Sequence, residues 1–280
     1  MSEPTSNSFS DLSSNGASPY QPPRADLTQP AGFQSPLPRP QSAWKILGYT
    51  LVIFLAYSIL QVVFGLLAAF ALPHPEPSAP APGSAQFGGL PIALILGVGT
   101  LVAAPFGIGA IVLVVRYQFL ESTREYLALR RPSVRQALLW TLVLALFVFV
   151  FDMLGQWLER PEIPEFMRAI LAGRGPKVML WLAVVVAAPV LEEILFRGFL
   201  LGGLARTRLG GLGAVAVSSV LFGIIHTQYD LFDMSAVLAL GAVLGLSRLY
   251  SGSTWLPVAL HTAHNFVSMA LTTWYLQQGG

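Results

Sequence analysis

Seven long apolar stretches dominate the chain after residue 43, and short polar or proline-rich segments separate them. A helix needs about 20 predominantly apolar residues to cross a hydrocarbon core of about 30 Å, so each stretch is a candidate membrane span. The pattern predicts an all-α fold, a polytopic transmembrane helical bundle of about seven to eight spans. The apolar stretches cover residues 44–72, 90–115, 136–158, 177–203, 212–226, 234–249 and 254–276.

The first 43 residues have a different composition, rich in Pro, Ser, Gln and Asn and without an aliphatic run. Such a segment cannot bury enough apolar area to offset the entropy that ordering would cost. We therefore expect a disordered tail over residues 1–43 and a transmembrane helical domain over residues 44–280. The tail also lacks the basic and apolar regions of a cleavable signal peptide.

The overall composition supports a membrane protein, because 54% of the residues are hydrophobic and only 11% are charged. Soluble domains carry about 25% charged residues, so we expect membrane lipid to be a partner of this chain. The formal charge of +2 is too small to indicate nucleic acid, which we do not expect as a partner. The chain has no cysteine, so a metal ion would need His, Asp, Glu or Asn ligands.

The distribution of Lys and Arg between the predicted loops indicates an orientation. With the N-terminus inside, the inner loops and tail hold 11 of these residues and the outer loops hold four, all four between residues 160 and 177. Since basic residues are enriched on the cytoplasmic side of membrane proteins, we predict a multi-pass protein with a cytoplasmic N-terminus.

Three ionisable residues occur close together within the fourth apolar stretch, namely Glu192, Glu193 and Arg197. Ionisable groups are costly at the centre of a membrane helix and usually have a purpose there. Glu193 and Arg197 are four residues apart and can pair on one helix face, while Glu192 has no obvious partner in its own segment. Pro189 either removes a hydrogen bond in mid-helix or lies in the first turn of a helix, where it is well tolerated, and in both cases we expect a backbone irregularity beside the glutamates, which favours a cavity at Glu192.

The later apolar stretches add His226 at the end of the fifth, and His261, His264 and Asn265 in the seventh. His261 and Asn265 are four residues apart, so their side chains project side by side from a helix. His264 lies near the same face and competes for either role. Each of these residues, taken alone, is also explained by hydrogen bonding between helices. The remaining histidine, His74, is expected to be a solvated loop residue.

Together these groups suit hydrolysis. A Glu with a His can activate water as a general base, and a second His with an Asn can donate hydrogen bonds to an oxyanion. The same groups can instead bind a metal ion that acidifies water, with Glu as the base. Two other classes stay open, a non-catalytic protein that keeps the polar cluster for helix association and a proton-coupled transporter, although no inverted repeat supports the latter.

The three motifs E-E-x-x-x-R, F-x-x-x-H and H-x-x-x-N, in this order and on separate apolar segments, resemble the CPBP family of intramembrane proteases. This family includes the type II CAAX prenyl endopeptidases and the bacterial Abi proteins, and the resemblance covers residues 130–276. The residues that match the motifs are Glu192, Glu193 and Arg197, then Phe222 and His226, and finally His261 and Asn265.

The resemblance implies an intramembrane endopeptidase in the cell membrane that cleaves membrane-associated proteins or peptides, including prenylated CAAX-type substrates. It implies that Glu192 is the principal base with His226 beside it, and that His261 and Asn265 stabilise the oxyanion. Glu193 and Arg197 would support the site. A metal-independent glutamate mechanism and a zinc mechanism, with His226 and His261 as metal ligands, are both implied. A non-catalytic bacteriocin-immunity or scaffold protein of the same fold is the alternative.

Overall fold

The computed structural model of the chain describes residues 42–71, 86–87, 90–172 and 177–278. Helices make up nearly all of this part, beside one pair of two-residue strands, β1 (Gln86–Phe87) and β2 (Leu90–Pro91). The helices are α1 (Ala43–Ala71), α2 (Ile92–Gln118), α3 (Thr123–Tyr126), α4 (Val134–Trp157), α5 (Glu165–Ala172), α6 (Lys177–Leu204), α7 (Gly210–Ile224), α8 (Leu231–Ser251) and α9 (Trp255–Gln277).

Each of the seven apolar stretches forms a helix, which confirms the predicted all-α membrane fold. Five of them, α1, α2, α4, α6 and α8, are long and apolar enough to cross a membrane, judged by length and composition. Helix α7 has only 15 residues, and α9 has 23 residues but is more polar. No eighth helix of similar length occurs among the described residues. Residues 1–41 and His74 lie outside the described part, so the predictions of a disordered tail and a solvated histidine remain predictions.

Helix α6 lies at the centre of the bundle. Every residue from Glu193 to Ala205 is buried, and the helix packs against α2, α7, α8 and α9. Helices α1 and α4 lie at the periphery of the bundle and expose long rows of Leu, Val and Phe side chains. In water such exposed apolar rows would be unfavourable, but in a bilayer they face hydrocarbon. The polar residues of α6 are therefore held inside protein while the outer helices face lipid.

Helices α1 and α2 approach each other closely, and two glycines make this possible. A methyl group added at Gly65 would lie 2.4 Å from the carbonyl oxygen of Ile95, and one added at Gly99 would lie 2.1 Å from that of Gln61. Small residues permit such backbone contact between membrane helices, where packing replaces the hydrophobic driving force.

Helix α8, which follows α7 in the bundle, begins at a strong cap. The Asp230 carboxylate accepts hydrogen bonds from the backbone N–H groups of Phe232 and Asp233, two of the donors that a helix start leaves unpaired. Arg160, at the end of the α4 region, also donates to Asp230. These contacts lower the pKa of the Asp230 carboxyl, with the Asp233 N–H as the largest cause and Arg160 next. The cap therefore connects the α8 terminus to the loop after α4.

Helix α6 is not a regular α-helix. It widens into π-helical turns at Ala183–Ala187 and again at Ile194–Leu200, on either side of the segment that holds Pro189, Glu192 and Glu193. The structure thus has the backbone irregularity expected beside the two glutamates. π-turns leave backbone groups without their usual intrahelical partners, and within a membrane these groups need partners from neighbouring helices.

Candidate active site

The buried centre of the site is the ion pair predicted from the four-residue spacing on α6. Arg197 Nη1 donates to Glu193 Oε1 at 2.9 Å, and neither side chain is exposed to any extent. The second guanidinium nitrogen, Nη2, donates to the backbone carbonyl of Gly241 on α8 at 3.1 Å. The other Glu193 oxygen, Oε2, is buried without a hydrogen-bond partner among the described residues. Arg197 thus joins α6 to α8 while it neutralises Glu193.

His261 on α9 contacts the same carboxylate. Its Nδ1 lies 2.9 Å from Glu193 Oε1, and its Nε2 lies 4.0 Å from Glu192 Oε2. An ionised carboxylate can only accept, so Nδ1 carries the proton of the first contact. Glu192 differs from Glu193 in that its side chain is 23% exposed, whereas that of Glu193 is fully buried. The two neighbouring glutamates therefore have different environments, and His261 lies between them.

The Phe222 ring connects the remaining members of the cluster. The Arg197 guanidinium lies over its face at 4.3 Å, and its centroid is 4.8 Å from that of His226 and 5.8 Å from that of His261. His226 Nδ1 donates to the Phe222 carbonyl at 2.7 Å, which leaves Nε2 as the ring atom available for other partners. Phe222 therefore acts as a common wall between the two histidines and stabilises the buried cation by a cation–π contact.

Asn265 fills a gap in the hydrogen bonding of α6. Its Nδ2 donates to the Val184 carbonyl at 2.9 Å. In the π-turn the N–H of Ala188 bonds to the Ala183 carbonyl, five residues earlier. The carbonyl of Val184 would need the N–H of residue 189 in the same register, and Pro189 has none. Asn265 supplies the missing donor, and one N–H of its amide remains for another acceptor.

The structure thus brings four of the six predicted site residues into one contact network, Glu192, Glu193, Arg197 and His261. Asn265 contacts the same helix α6 at the Val184 carbonyl, and His226 contacts the network through the Phe222 ring. His264, the competing histidine on α9, takes no part in these hydrogen bonds. Their catalytic roles remain predictions.

A metal site is the second chemistry expected from the sequence. No group of three or more His, Asp or Glu residues in the described part of the chain is arranged to hold a metal ion. Because the Nδ1 atoms of His226 and His261 are engaged, their Nε2 atoms are the ones that would serve as ligands. A catalytic zinc needs three protein ligands, so the present arrangement does not fit such a centre.

One tyrosine that the sequence analysis missed, Tyr229, packs against His226 of the site. The Tyr229 ring stacks on the His226 ring, with centroids 6.2 Å apart and planes 9° apart. Burial raises the pKa of Tyr229 to about 12, with smaller contributions from the charges of Asp233 and Glu192. This residue belongs to no motif, so only the three-dimensional packing reveals it.

Comparison with known proteins supports this assembly of motifs. Residues 174–267 match the family model described as type II CAAX prenyl endopeptidase Rce1-like, and this segment contains all six predicted site residues. The match confirms the resemblance found from the motifs. An Escherichia coli protein named "Uncharacterized 24.3 kDa protein" is 37% identical over 121 residues, which are 41% of this chain. The chain spans about half the length of that relative, 54%. No solved structure matches the chain.

Proposed function

We propose, on the premise that residues 174–267 are an Rce1-like segment of a multi-pass membrane protein, that the chain is an intramembrane endopeptidase. Its proposed substrates are membrane-associated proteins or peptides, with prenylated CAAX-type substrates as the first class to test. The single observation that supports this most is the convergence of Glu192, Glu193, Arg197 and His261 from two separate helices within apolar surroundings. The proposed location is the cell membrane, with the N-terminus on the cytoplasmic side.

Glu192 is the proposed general base. Unlike Glu193, it is neither fully buried nor paired with Arg197, so its carboxylate can take a proton from water. The hydroxide that forms attacks the carbonyl carbon of the substrate peptide bond, and the proton passes from Glu192 to the leaving nitrogen. His226 is the proposed partner on the water, because its Nε2 is the ring nitrogen that Phe222 does not engage.

His261 and Asn265 are the proposed donors to the oxyanion of the tetrahedral intermediate. His261 already donates a hydrogen bond from Nδ1 to Glu193, so its ring must be doubly protonated to donate from Nε2 as well. Asn265 can donate its second amide N–H while the first stays on Val184. Preorganised donors of this kind typically contribute a factor of about 10²–10³ each to kcat. Glu193 and Arg197 hold His261 in place in this proposal.

The zinc mechanism that the resemblance implies can be tested by removing metal ions with a chelator. The residues present do not form a three-ligand centre, so the mechanism above uses only the side chains of the chain. If zinc were bound, it would supply Lewis-acid activation of the water. Cleavage that persists after extended dialysis against a chelator supports the glutamate mechanism, and loss of cleavage that zinc restores supports the metal mechanism.

The experiment that tests the function uses the purified full chain in lipid. The probe is an internally quenched peptide with a farnesylated cysteine and an aliphatic C-terminal tripeptide. We expect the wild type to cleave it and Glu192→Gln to lose at least 10²-fold in kcat, with an unchanged melting temperature. Asp152→Asn is the matched control, because Asp152 is an exposed carboxylate on α4 whose hydrogen bond in the described part of the chain is with Gln156. Wild-type cleavage that survives in Glu192→Gln contradicts the proposed role of Glu192.

A non-catalytic protein of the same fold is the second candidate. The observation that favours it is that Arg197 and Asn265 both bond to backbone carbonyls of other helices, as residues that hold helices together do. In this case Glu192→Gln should preserve the biological function, because shape and hydrogen bonding survive. Cleavage by the wild type that Glu192→Gln abolishes decides against this candidate.

A further inference from the structure

Helix α5 lies before the Rce1-like segment of the chain, yet it packs firmly against that segment. Three of its side chains are buried, namely Met167, Ile170 and Leu171. They belong to one apolar cluster with Leu180 and Val185 of α6. Close packing of this kind leaves side chains little freedom to move. The side chains of α5 therefore have defined positions relative to the candidate active site.

Phe166 of α5 connects this apolar cluster to the loop between α7 and α8. Its ring meets the Tyr229 ring edge to face, with centroids 5.7 Å apart and planes 83° apart. This is one of the arrangements that the charge distribution of aromatic rings favours. Both rings also pack against the apolar cluster itself. Helix α5 thus supports Tyr229, although the two are far apart in sequence.

The backbone restrains Tyr229 as well. Its N–H donates to the carbonyl of His226 at 3.1 Å, which closes a tight turn between the two residues. The next residue, Asp230, caps α8 by accepting from the N–H groups of Phe232 and Asp233. Tyr229 therefore lies between a hydrogen-bonded turn and a capped helix start, and both restrict the direction in which its side chain projects.

The Tyr229 ring lies nearly parallel to the ring of His226, the proposed partner on the attacking water. The planes of the two rings are 9° apart and their centroids are 6.2 Å apart. The hydrogen bond from His226 Nδ1 to the Phe222 carbonyl restrains one ring atom, but a hydrogen bond accepts a range of donor angles and so lets the ring tilt. A second ring that lies nearly parallel restricts this tilt.

We propose that Tyr229, supported by Phe166, is a positioning residue of the active site. Its ring keeps the His226 ring in one plane, so that Nε2 holds a constant direction toward the attacking water. This inference rests on the proposed function for its catalytic consequence, whereas the restraint on the His226 ring can be measured without a substrate. Helix α5, which lies outside the Rce1-like segment, then contributes to the geometry of the site.

The first test measures the mobility of the His226 ring by NMR and needs no cleavage. The full chain in lipid bilayers carries ring-¹³C histidine at its four histidines, and the His226 signal is assigned by its loss in His226→Gln. We expect the order parameter of this ring to fall in Tyr229→Leu and to keep the wild-type value in Tyr229→Phe, which retains the aromatic ring. Tyr250→Leu is the matched control, because Tyr250 stacks on Trp140 near the opposite end of α8. An order parameter that is unchanged in Tyr229→Leu overturns the proposal.

The second test is kinetic and uses the farnesylated peptide. We expect Tyr229→Leu to lower kcat about fivefold, the rate equivalent of one aromatic contact, with KM unchanged within about twofold. Tyr229→Phe should restore the wild-type kcat, because the ring and not the hydroxyl restrains His226. Phe166→Leu should lower kcat less than Tyr229→Leu and should add nothing in combination with it, because Phe166 acts through Tyr229.

The outcomes separate the two proposals. If the wild type cleaves the peptide and Glu192→Gln does not, while Tyr229→Leu behaves like Tyr250→Leu, the positioning role is wrong and the protease assignment stands. If the wild type does not cleave the peptide, the proposed substrate class is wrong, and the order parameter still decides whether Tyr229 restrains His226. A loss of kcat that Tyr229→Phe shares, or one that comes with an equal loss of folded protein, overturns the positioning role.

Discussion

Replacing Arg197 by Met should destabilise the fold far more than an ordinary loss of an ion pair. Arg197 and Glu193 are both fully buried, and Arg197 also bonds to Gly241 and lies over the Phe222 ring. Without the cation, the Glu193 carboxylate would remain in an apolar interior, and its Oε2 has no hydrogen-bond partner in the part of the chain that the structure describes. Removal of one member of a buried pair costs about 3–5 kcal/mol, because it leaves an uncompensated charge.

The assay is thermal unfolding of the purified chain in detergent, followed by fluorescence-detected size exclusion. A loss of this size corresponds to a melting temperature lower by roughly 10 °C for a domain of this length. The double variant Glu193→Gln with Arg197→Met removes both charges and should recover part of the loss. Arg160→Met is the matched control, because Arg160 and Asp230 form a pair that is 32% and 50% exposed. That change should cost no more than about 1 kcal/mol.

A melting temperature of Arg197→Met that equals that of Arg160→Met would refute the reasoning, because the buried carboxylate would then tolerate the loss of its partner. A double variant that is less stable than Arg197→Met would refute it too, since removing the stranded charge must help. The experiment measures stability and not activity. It therefore tests the contribution of the ion pair to stability separately from the chemistry proposed for Glu192.

Two further predictions concern other parts of the bundle. Asp230→Ala should destabilise the start of α8 by about 1 kcal/mol at neutral pH, and Asp230→Asn should be nearly neutral, as melting temperatures will show. Because the pKa of Asp230 is lowered, the part of its stabilising effect that depends on the charge is present above about pH 4 and is lost as the pH falls through the folded pKa. The difference between wild type and Asp230→Ala should therefore become smaller in acid. Gly99→Ala should force α1 away from α2 and lower the melting temperature, whereas Gly109→Ala, where a methyl group meets open space, should not. Equal melting temperatures for the two alanine variants would contradict the close-contact argument.

The fold could be predicted from the sequence because a helix that crosses a membrane needs a long apolar run. Runs of about 20 apolar residues predict spans with little dependence on what they pack against. The Glu193–Arg197 pair could also be predicted, because a four-residue spacing places two side chains on one helix face. Pro189 predicted the irregular backbone of α6, because a proline lacks an N–H whatever its neighbours are.

The rest of the site depends on contacts between residues far apart in sequence. Nothing in the pattern says that the carbonyl of Gly241 accepts from Arg197, or that the Phe222 ring separates two histidines.

The bond between Asn265 and Val184 has a consequence for how the two halves of the site stay aligned. In a helix with an unbroken ladder, the Val184 carbonyl would already have an intrahelical donor. Because Pro189 withholds that donor, this carbonyl of α6 needs a partner from outside the helix, and the Asn265 amide on α9 supplies it. The missing donor at Pro189 therefore helps to fix the position of α9 along α6, and with it the point at which His261 contacts Glu192 and Glu193.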